Sequence, residues 1–539
     1  MGPWMHVASS ASSVSSPSSA FNNAQRAAYP KSDINIHLKN HSNSKVYTSM
    51  SPVVGDLTIT TKRDVRFDSI EILLLGHTKT TLEGMGMPQE VTHTFLKMVM
   101  PIPESAYPLP RVLEPGRTLT LPFNFVIPSQ LTINACNHAR LVEAMQDYHV
   151  KLPPSVGAWE RDDMAPKMTR VVYQIKARVV RDDDGRKTRI METTQPIQVL
   201  PATPEEPPLS ITDKDRLYRL SKAKNLRKNF LTTKIGCIRA EALQPSAAIL
   251  SSDGRRVMSH PMVRIKLVFQ PGSPRALPPT VTGVTAKLTA HTYFSSSTIQ
   301  SFPNLGDWQG IPGTIDRRGQ YSTSVALPAV TLAEQPAWTS HPSLARRDSG
   351  YGSSVGSCVE EEEDYDETSS DNDEPMKRTA VSSSSLLSSS TATTSHHTAT
   401  LAVPLSLPTD KKTFVPTFHS CIVSRVYTVT LTVALAGKGG GSTSLSVVVP
   451  LQVAVDAAPV ATAPTADRPP SFEEAAADEH LRPRVLQAPP EELTAREGRA
   501  SWMLATAGAG AVATATEAHE SARVDELPEY AQSGWRRRV

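Results

Sequence analysis

Residues 172–180 read V-Y-Q-I-K-A-R-V-V, and this run decides the fold class. Tyr173, Ile175, Ala177 and Val179 alternate with Gln174, Lys176 and Arg178. A period of two sends alternate side chains to opposite faces of a sheet. The run is therefore a strand with one face on a core and one toward water, as in an antiparallel sheet. Asp183, Asp184 and Gly185 supply a turn, and Arg189 to Leu200 reads as the next strand. Working back from this hairpin, Ile34, Ile36 and Leu38 alternate with polar residues, as do Leu57 and Ile59. Ile70 to Leu75, Val91 to Met100 and Leu119 to Val126 are further strands. Only Ala139 to Tyr148 reads as a short helix. Many short strands separated by Gly, Pro and Asp turns predict a β-sandwich.

Working forward, Pro201 to Pro208 breaks the pattern. A basic stretch follows with Lys214, Arg216, Arg219, Lys222, Lys224, Arg227 and Lys228. Residues 213–230 read as a surface helix with Leu217, Leu220 and Leu226 on a sparse apolar side. Strands resume at Cys237 to Ala242, Val263 to Phe269, Val284 to Tyr293 and Tyr321 to Leu327. They return at Lys412 to Phe418, Ser424 to Leu435 and Ser444 to Val455. Residues 335–400 between them are Ser/Thr-rich and carry the acidic block Glu360 to Glu367. Such a segment buries too little apolar surface to offset its ordering entropy. The expected layout is all-β, two immunoglobulin-like sandwiches in tandem. A disordered arm spans 1–31, the first sandwich 32–203, a basic linker 204–234, the second sandwich 235–455 with a disordered insertion at 335–400, and a disordered tail 456–539.

Composition agrees. Apolar residues make up 39% of the 539, and there are 44 prolines, so part of the chain builds no core. The formal net charge of +3 is no basis for nucleic-acid binding, which calls for a strongly basic surface. Cys136, Cys237, Cys358 and Cys421 lie far apart, without a C-x-x-C pair or a neighbouring His at metal-ligand spacing. Neither a metal site nor a disulfide framework is expected, and four scattered thiols suit a reducing compartment. No apolar run approaches the length of a membrane span, and the first 30 residues lack the apolar centre of a signal peptide. Gly2 follows Met1, but His6 stands where a myristoylation pattern needs Ser or Thr.

Catalytic readings fail on geometry. His419, Ser420 and Cys421 are consecutive, and neighbours on a strand point to opposite faces, so they cannot pair there as base and nucleophile. Asp162–Asp163 lacks a second carboxylate cluster or a phosphate loop, which leaves a turn or salt-bridge role. No dinucleotide fingerprint, P-loop or G-x-S-x-G occurs. The expectation is a protein that binds other proteins, without an enzymatic activity, cofactor or resident metal.

Several ordered motifs carry a family resemblance. Leu152–Pro153–Pro154–Ser155–Val156–Gly157, then Asp162, Asp163, Pro166, Met168 and Y-Q-I-K-A-R-V, resembles the last third of the N-terminal domain of fungal α-arrestins. Leu113–Glu114–Pro115–Gly116 and Pro122–Phe123–Asn124–Phe125–Val126–Ile127–Pro128 are also similar. Phe414–Val415–Pro416–Thr417–Phe418–His419–Ser420–Cys421, leading into Arg425–Val426–Tyr427, resembles the closing strands of their C-terminal domain. The resemblance covers roughly 32–455, apart from 335–400. It implies two arrestin-type sandwiches joined by a hinge. It also implies an adaptor that recognises membrane transporters or receptors and recruits a HECT-type ubiquitin ligase, so that cargo is ubiquitinated and internalised. Such a protein would work in the cytoplasm, recruited peripherally to the plasma membrane or endosomes.

The family usually recruits its ligase through P-P-x-Y motifs, which suit WW domains because a polyproline II segment docks on aromatic grooves at low entropic cost. No intact P-P-x-Y is present. Leu527–Pro528–Glu529–Tyr530 keeps the second Pro and the Tyr, and Pro469–Pro470–Ser471–Phe472 keeps both prolines. Leu527, Pro528 and Tyr530 are the favoured WW contact, with Pro469, Pro470 and Phe472 as the second. Asp348–Ser349–Gly350–Tyr351–Gly352–Ser353 has a phosphodegron form, with Ser349 and Ser353 as acceptors in a segment whose charge phosphorylation would change. Lys222, Lys224, Arg227 and Lys228 have two readings, a contact to anionic lipid or acidic cargo tails and a solvated linker. The rival function is a signalling or endosomal-sorting scaffold that recruits no ligase.

Overall fold

In the computed structural model, residues 172–180 are the middle of strand β9, Thr169–Asp183. Val171, Tyr173, Ile175, Ala177 and Val179 have no exposed surface, while Gln174, Lys176 and Arg178 stay half-buried on the other face. The structure describes residues 33–82, 88–132, 135–136, 143–183, 185–227, 234–306, 308, 318–329, 335–342, 395–437 and 442–457, with the backbone of 484–485 and 493–495.

The first half contributes β1 Asp33–Leu38, β2 Val46–Tyr47, β3 Pro52–Thr60, β4 Val65–Arg66, β5 Ser69–Leu82, β6 Gln89–Val99, β7 Val112–Leu113, β8 Thr118–Val126, helix α1 Glu143–His149, β9, and β10 Arg186–Val199. One sheet runs β1-β3-β8; the other runs β2-β10-β9-β5-β6, and β4 pairs β7. Leu57 and Ile59 of β3 and Phe123 and Phe125 of β8 share one core with Ile72 and Leu74 of β5 and the inward residues of β9. The β9–β10 hairpin turns as the sequence predicts. Gly185 has φ +84°, a conformation that costs glycine nothing, and its N–H donates to Asp182 Oδ1 at 2.8 Å.

The second half contributes β11 Ser221–Arg227, β12 Lys234–Ala242, β13 Ala248–Leu250, β14 Met262–Pro271, β15 Thr280–Ser295, β16 Arg318–Ala326, β17 Thr339–His341, β18 His396–Pro404, β19 Phe418–His419, β20 Val423–Ala436, β21 Ser442–Leu451 and β22 Val453–Val455. One sheet runs β11-β12-β14-β18-β17. The other runs β16-β15-β20-β19, with β21 on β20, and β13 pairs β22 in parallel. Ile265, Phe269 and Leu401 from the first sheet meet Leu288, Val429, Leu431 and Val447 from the second in a separate core. Each such side chain contributes about 1.5–3 kcal/mol on burial. The fold is all-β, two sandwiches of arrestin type.

Three stretches differ from the sequence reading. Residues 221–227 are not helical: they form β11, antiparallel to β12 from Ser221↔Glu241 to Leu226↔Gly236. The three leucines make too thin a stripe to hold a helix against a core, whereas β12 offers a sheet edge to pair. The expected 335–400 insertion is ordered at both ends, because β17 pairs β18 and β18 pairs β14. Ala399, Leu401 and Val403 are buried, with Thr400 and Ala402 exposed between them, so a period-two signal lay inside the stretch judged too polar. Conversely, most of 412–418 is irregular, with β19 beginning only at Phe418. In the tail, β23 Arg484–Val485 and β24 Leu493–Ala495 pair antiparallel to β6. Residues 1–32, 343–394 and most of 458–539 lie outside the described residues. Among the described residues no helix is long and apolar enough to cross a membrane.

Candidate functional site at the seam between the sandwiches

Two of the motifs that carry the family resemblance, at 152–168 and 414–427, meet in space. The loop between α1 and β9 is built from the first of them. Ser155 N–H donates to Val199 O at 2.8 Å, and Val199 N–H donates to Ser155 Oγ at 2.9 Å. The Trp159 indole donates to Ser155 O at 2.7 Å, and Tyr173 OH donates to Pro153 O at 2.7 Å. Gly157 takes φ +78°, and a Cβ there would stand 2.8 Å from Thr169 O, so this position requires glycine. Its N–H donates to Asp163 Oδ2 at 2.7 Å. Asp162 Oδ1 accepts from Met164 N–H at 2.8 Å, and Asp163 Oδ1 accepts from Ala165 N–H at 3.2 Å. These side chain to backbone bonds are the Asx turns that favour Asp in loops. They hold Met164 at φ +58° and drive its side chain into the core of the second sandwich. The turn role read for Asp162–Asp163 is thus what the structure contains.

The second sandwich answers with Arg425. Its side chain has no exposed surface. Nε donates to Thr292 Oγ1 at 2.8 Å, Nη1 to Asp163 O at 2.9 Å and Nη2 to Met164 O at 3.4 Å. A guanidinium suits this place because its planar fork meets several fixed acceptors at once. Around it, Lys412 Nζ bonds Asp162 Oδ2, Thr413 N–H donates to Asp162 O at 3.1 Å, and Arg161 Nη1 donates to Thr409 O at 2.8 Å. The Lys412 contact holds the Asp162 carboxyl below its ordinary range. Thr80 Oγ1 donates to Ser295 O at 3.1 Å, adding a second tie. The seam also explains a departure from alternation: Val423 to Val429 of β20 and Leu288 to Ser295 of β15 are buried on both faces. Phe294, Val415, Phe418, Ile422 and Val423 belong to the first sandwich's core.

Two histidines stay neutral here. His291 bonds Ser322 Oγ at 2.8 Å and Thr428 Oγ1 at 2.9 Å. Burial first, then Arg425, lower its pKa to about 4. His419 Nδ1 is 2.5 Å from Ser424 Oγ, and burial lowers its pKa to about 3. A cavity of about 400 Å³ beside it is lined by Tyr148, Glu206, Tyr218 and Asn304. Another, of about 360 Å³, is lined by Trp159, Arg161, Asp253 and Arg255.

Sequence spacing concealed one grouping. Cys136, His149 and Cys421 are all buried, with their ligand atoms within 4.8 Å of one another. His149 ends α1, Cys136 lies thirteen residues before it, and Cys421 sits in the turn between β19 and β20. The signal that could have found it is a Cys and a His flanking a short amphipathic helix; nothing local pointed to Cys421. Cys237 is disulfide-bonded, so the reading of four scattered thiols fails at that residue.

Of the expected contact residues, Lys222, Lys224 and Arg227 lie on β11. Lys222 and Lys224 share one face, as a spacing of two requires, with Lys224 and Arg227 exposed and Lys222 half-buried. Lys228, Ser349, Ser353, Pro469, Pro470, Phe472, Leu527, Pro528 and Tyr530 lie outside the described residues.

Residues 337–455 match the family model described as the Bul1 C terminus. This interval runs from β17 through β22 and includes Lys412, Cys421 and Arg425. No curated protein matches the chain. Bul1 is an arrestin-related trafficking adaptor of fungi. The paired sandwiches and the match to the Bul1 C terminus are consistent with the resemblance to fungal α-arrestins.

Proposed function

We propose that this protein links plasma-membrane transporters or receptors to a WW-domain HECT ubiquitin ligase, promoting cargo ubiquitination and endocytosis. The observation that carries this reading is the match of residues 337–455, the later part of the second sandwich, to the C terminus of a trafficking adaptor. The two sandwiches joined across the seam support it, since their faces and loops offer extended surface for binding other proteins. Cargo tails would bind the loops and the cavities along the seam, and the basic residues of β11 would meet an anionic membrane. Leu527, Pro528 and Tyr530 would hold the WW domain, with Pro469, Pro470 and Phe472 as a second contact. Phosphorylation at Ser349 and Ser353 would add charge that tunes these contacts. The protein would work in the cytoplasm, recruited to plasma membrane or endosomes.

One observation favours a second reading, a sorting or signalling scaffold that recruits no ligase: the chain has no intact P-P-x-Y. The two separate in a titration of the full chain against isolated WW domains of a HECT ligase. The adaptor reading expects micromolar binding that Tyr530→Ala weakens about tenfold or more, a loss of about 1.4 kcal/mol. Binding that is absent, or unchanged when Tyr530 and Phe472 are both replaced by Ala, transfers the preference to the scaffold.

A further inference from the structure

Two of the chain's four cysteines, 285 residues apart, bring their sulfurs to 4.0 Å at the seam. The Nδ1 of His149 stands 3.2 Å from Cys136 Sγ. We propose that Cys136, His149 and Cys421 bind one zinc-class divalent cation that ties the two sandwiches together. Two thiolates and an imidazole are a donor set for a soft or borderline cation, not for magnesium or calcium. Zinc–sulfur bonds of about 2.3 Å and zinc–nitrogen bonds of about 2.0 Å in tetrahedral geometry place ligand atoms about 3.5–3.8 Å apart. The observed nitrogen–sulfur separation of 3.2 Å and sulfur–sulfur separation of 4.0 Å lie close to these values, and all three ligand atoms stand within 4.8 Å of one another, so side-chain shifts suffice to admit the cation. A disulfide would need the sulfurs at about 2.05 Å instead.

The surroundings fit a shielded site with three protein ligands and one open position. Tyr148, Phe302 and His419 pack edge to face beside it, with centroids 4.9–5.3 Å apart. This aromatic wall limits water, and buried thiolates are favourable only when a cation compensates them. The cavity lined by Tyr148 and His419 offers a path of approach, since these residues lie one and two positions from ligands. On binding, Cys136 and Cys421 each lose a thiol proton to solvent, His149 gives its Nδ1 lone pair, and water completes the coordination. Two ligands come from the first sandwich, Cys136 ahead of α1 and His149 at its end, and one from the second's β19–β20 turn, so metal binding and docking of the sandwiches are one equilibrium. This site is independent of WW-domain binding by the tail.

The test uses the full chain, expressed without added metal and purified without chelator. Elemental analysis should find about one zinc per chain. After chelation, Co(II) titration should raise a thiolate-to-cobalt charge-transfer band that saturates at one equivalent and is displaced by Zn(II). Alkylation mapped by mass spectrometry should show Cys136 and Cys421 protected with zinc and modified after its removal. Cys421→Ser and His149→Gln should each lose the band and at least about nine-tenths of the metal. The unmutated titration decides the matter even where a variant fails to fold. Absence of stoichiometric metal and of the cobalt band, with both cysteines shown to be reduced, overturns the proposal. So does recovery of a Cys136–Cys421 disulfide in the freshly purified protein, or a cobalt band that persists in Cys421→Ser.

Discussion

His291 shows how one buried side chain couples the fold to pH. It joins β16 to β20 through hydroxyls on both sides, and its folded pKa of about 4 lies below the ordinary 6.5. Between these values the unfolded chain binds the proton that the folded chain excludes. Stability is therefore fully present above pH 6.5 and falls as pH drops toward 4, levelling off below. The slope is about 1.4 kcal/mol per pH unit, about 3 kcal/mol in all. Urea midpoints measured from pH 7 to 4 should follow this slope, and His291→Gln should remove that share of it. Equal slopes in the two proteins would place the titration elsewhere. The serine, threonine and histidine are plain in the sequence, but their meeting across three strands is not.

At the scale of the element, β11 changes what the basic stretch can do. On a helix, seven basic residues would spread around the surface. As an edge strand, the stretch puts Lys222 and Lys224 on one face about 7 Å apart, beside the free edge of the sheet. Charge reversal of both, Lys222→Glu with Lys224→Glu, should weaken binding to phosphatidylserine vesicles. Each lost lysine accounts for about 1 kcal/mol or more at low salt, and the thermal midpoint should barely move because Lys224 is exposed and Lys222 only half-buried. Vesicle sedimentation unchanged by the double substitution would make β11 a solvated edge and nothing more. The helix reading failed here because a sheet edge can override a weak local preference. β18 is hidden for a related reason: its nine residues adjoin a long polar stretch, although Ala399, Leu401 and Val403 carry the alternation.

For the whole molecule, the seam decides whether two sandwiches behave as two domains or one unit. Met164 and Leu200 belong to the second core, and Phe294, Val415 and Phe418 to the first. Arg425 joins the two through backbone carbonyls that cannot move without unpicking the Asp162–Met164 turn. Arg425→Ala would leave Asp163 O, Met164 O and Thr292 Oγ1 without their donor and open a cavity. Its cost should be about 3 kcal/mol or more. Calorimetry of the full chain should show the sandwiches unfolding together, and Arg425→Ala should lower that transition and split it. A single transition of unchanged midpoint would mean that the apolar contacts alone hold the seam. The exposed Asp162–Lys412 pair contributes far less, as solvent screens such pairs.

Periodicity along the chain by itself determined the all-β class, the positions of β9, β14, β15 and β20, and the hairpin turn at Gly185, because each depends on neighbours one to four residues apart. The order of motifs carried the resemblance to fungal α-arrestins. The turn role of Asp162 and Asp163 was legible locally, but only the tertiary structure decided why Arg425 is present, since the carbonyls of Asp163 and Met164 that it bonds lie more than 250 residues away. The same holds for Cys136, His149 and Cys421, which no local spacing unites. Local alternation reports which face of a strand meets a core, whereas the seam is made of residues that break alternation, buried on both faces because a second sandwich lies against them.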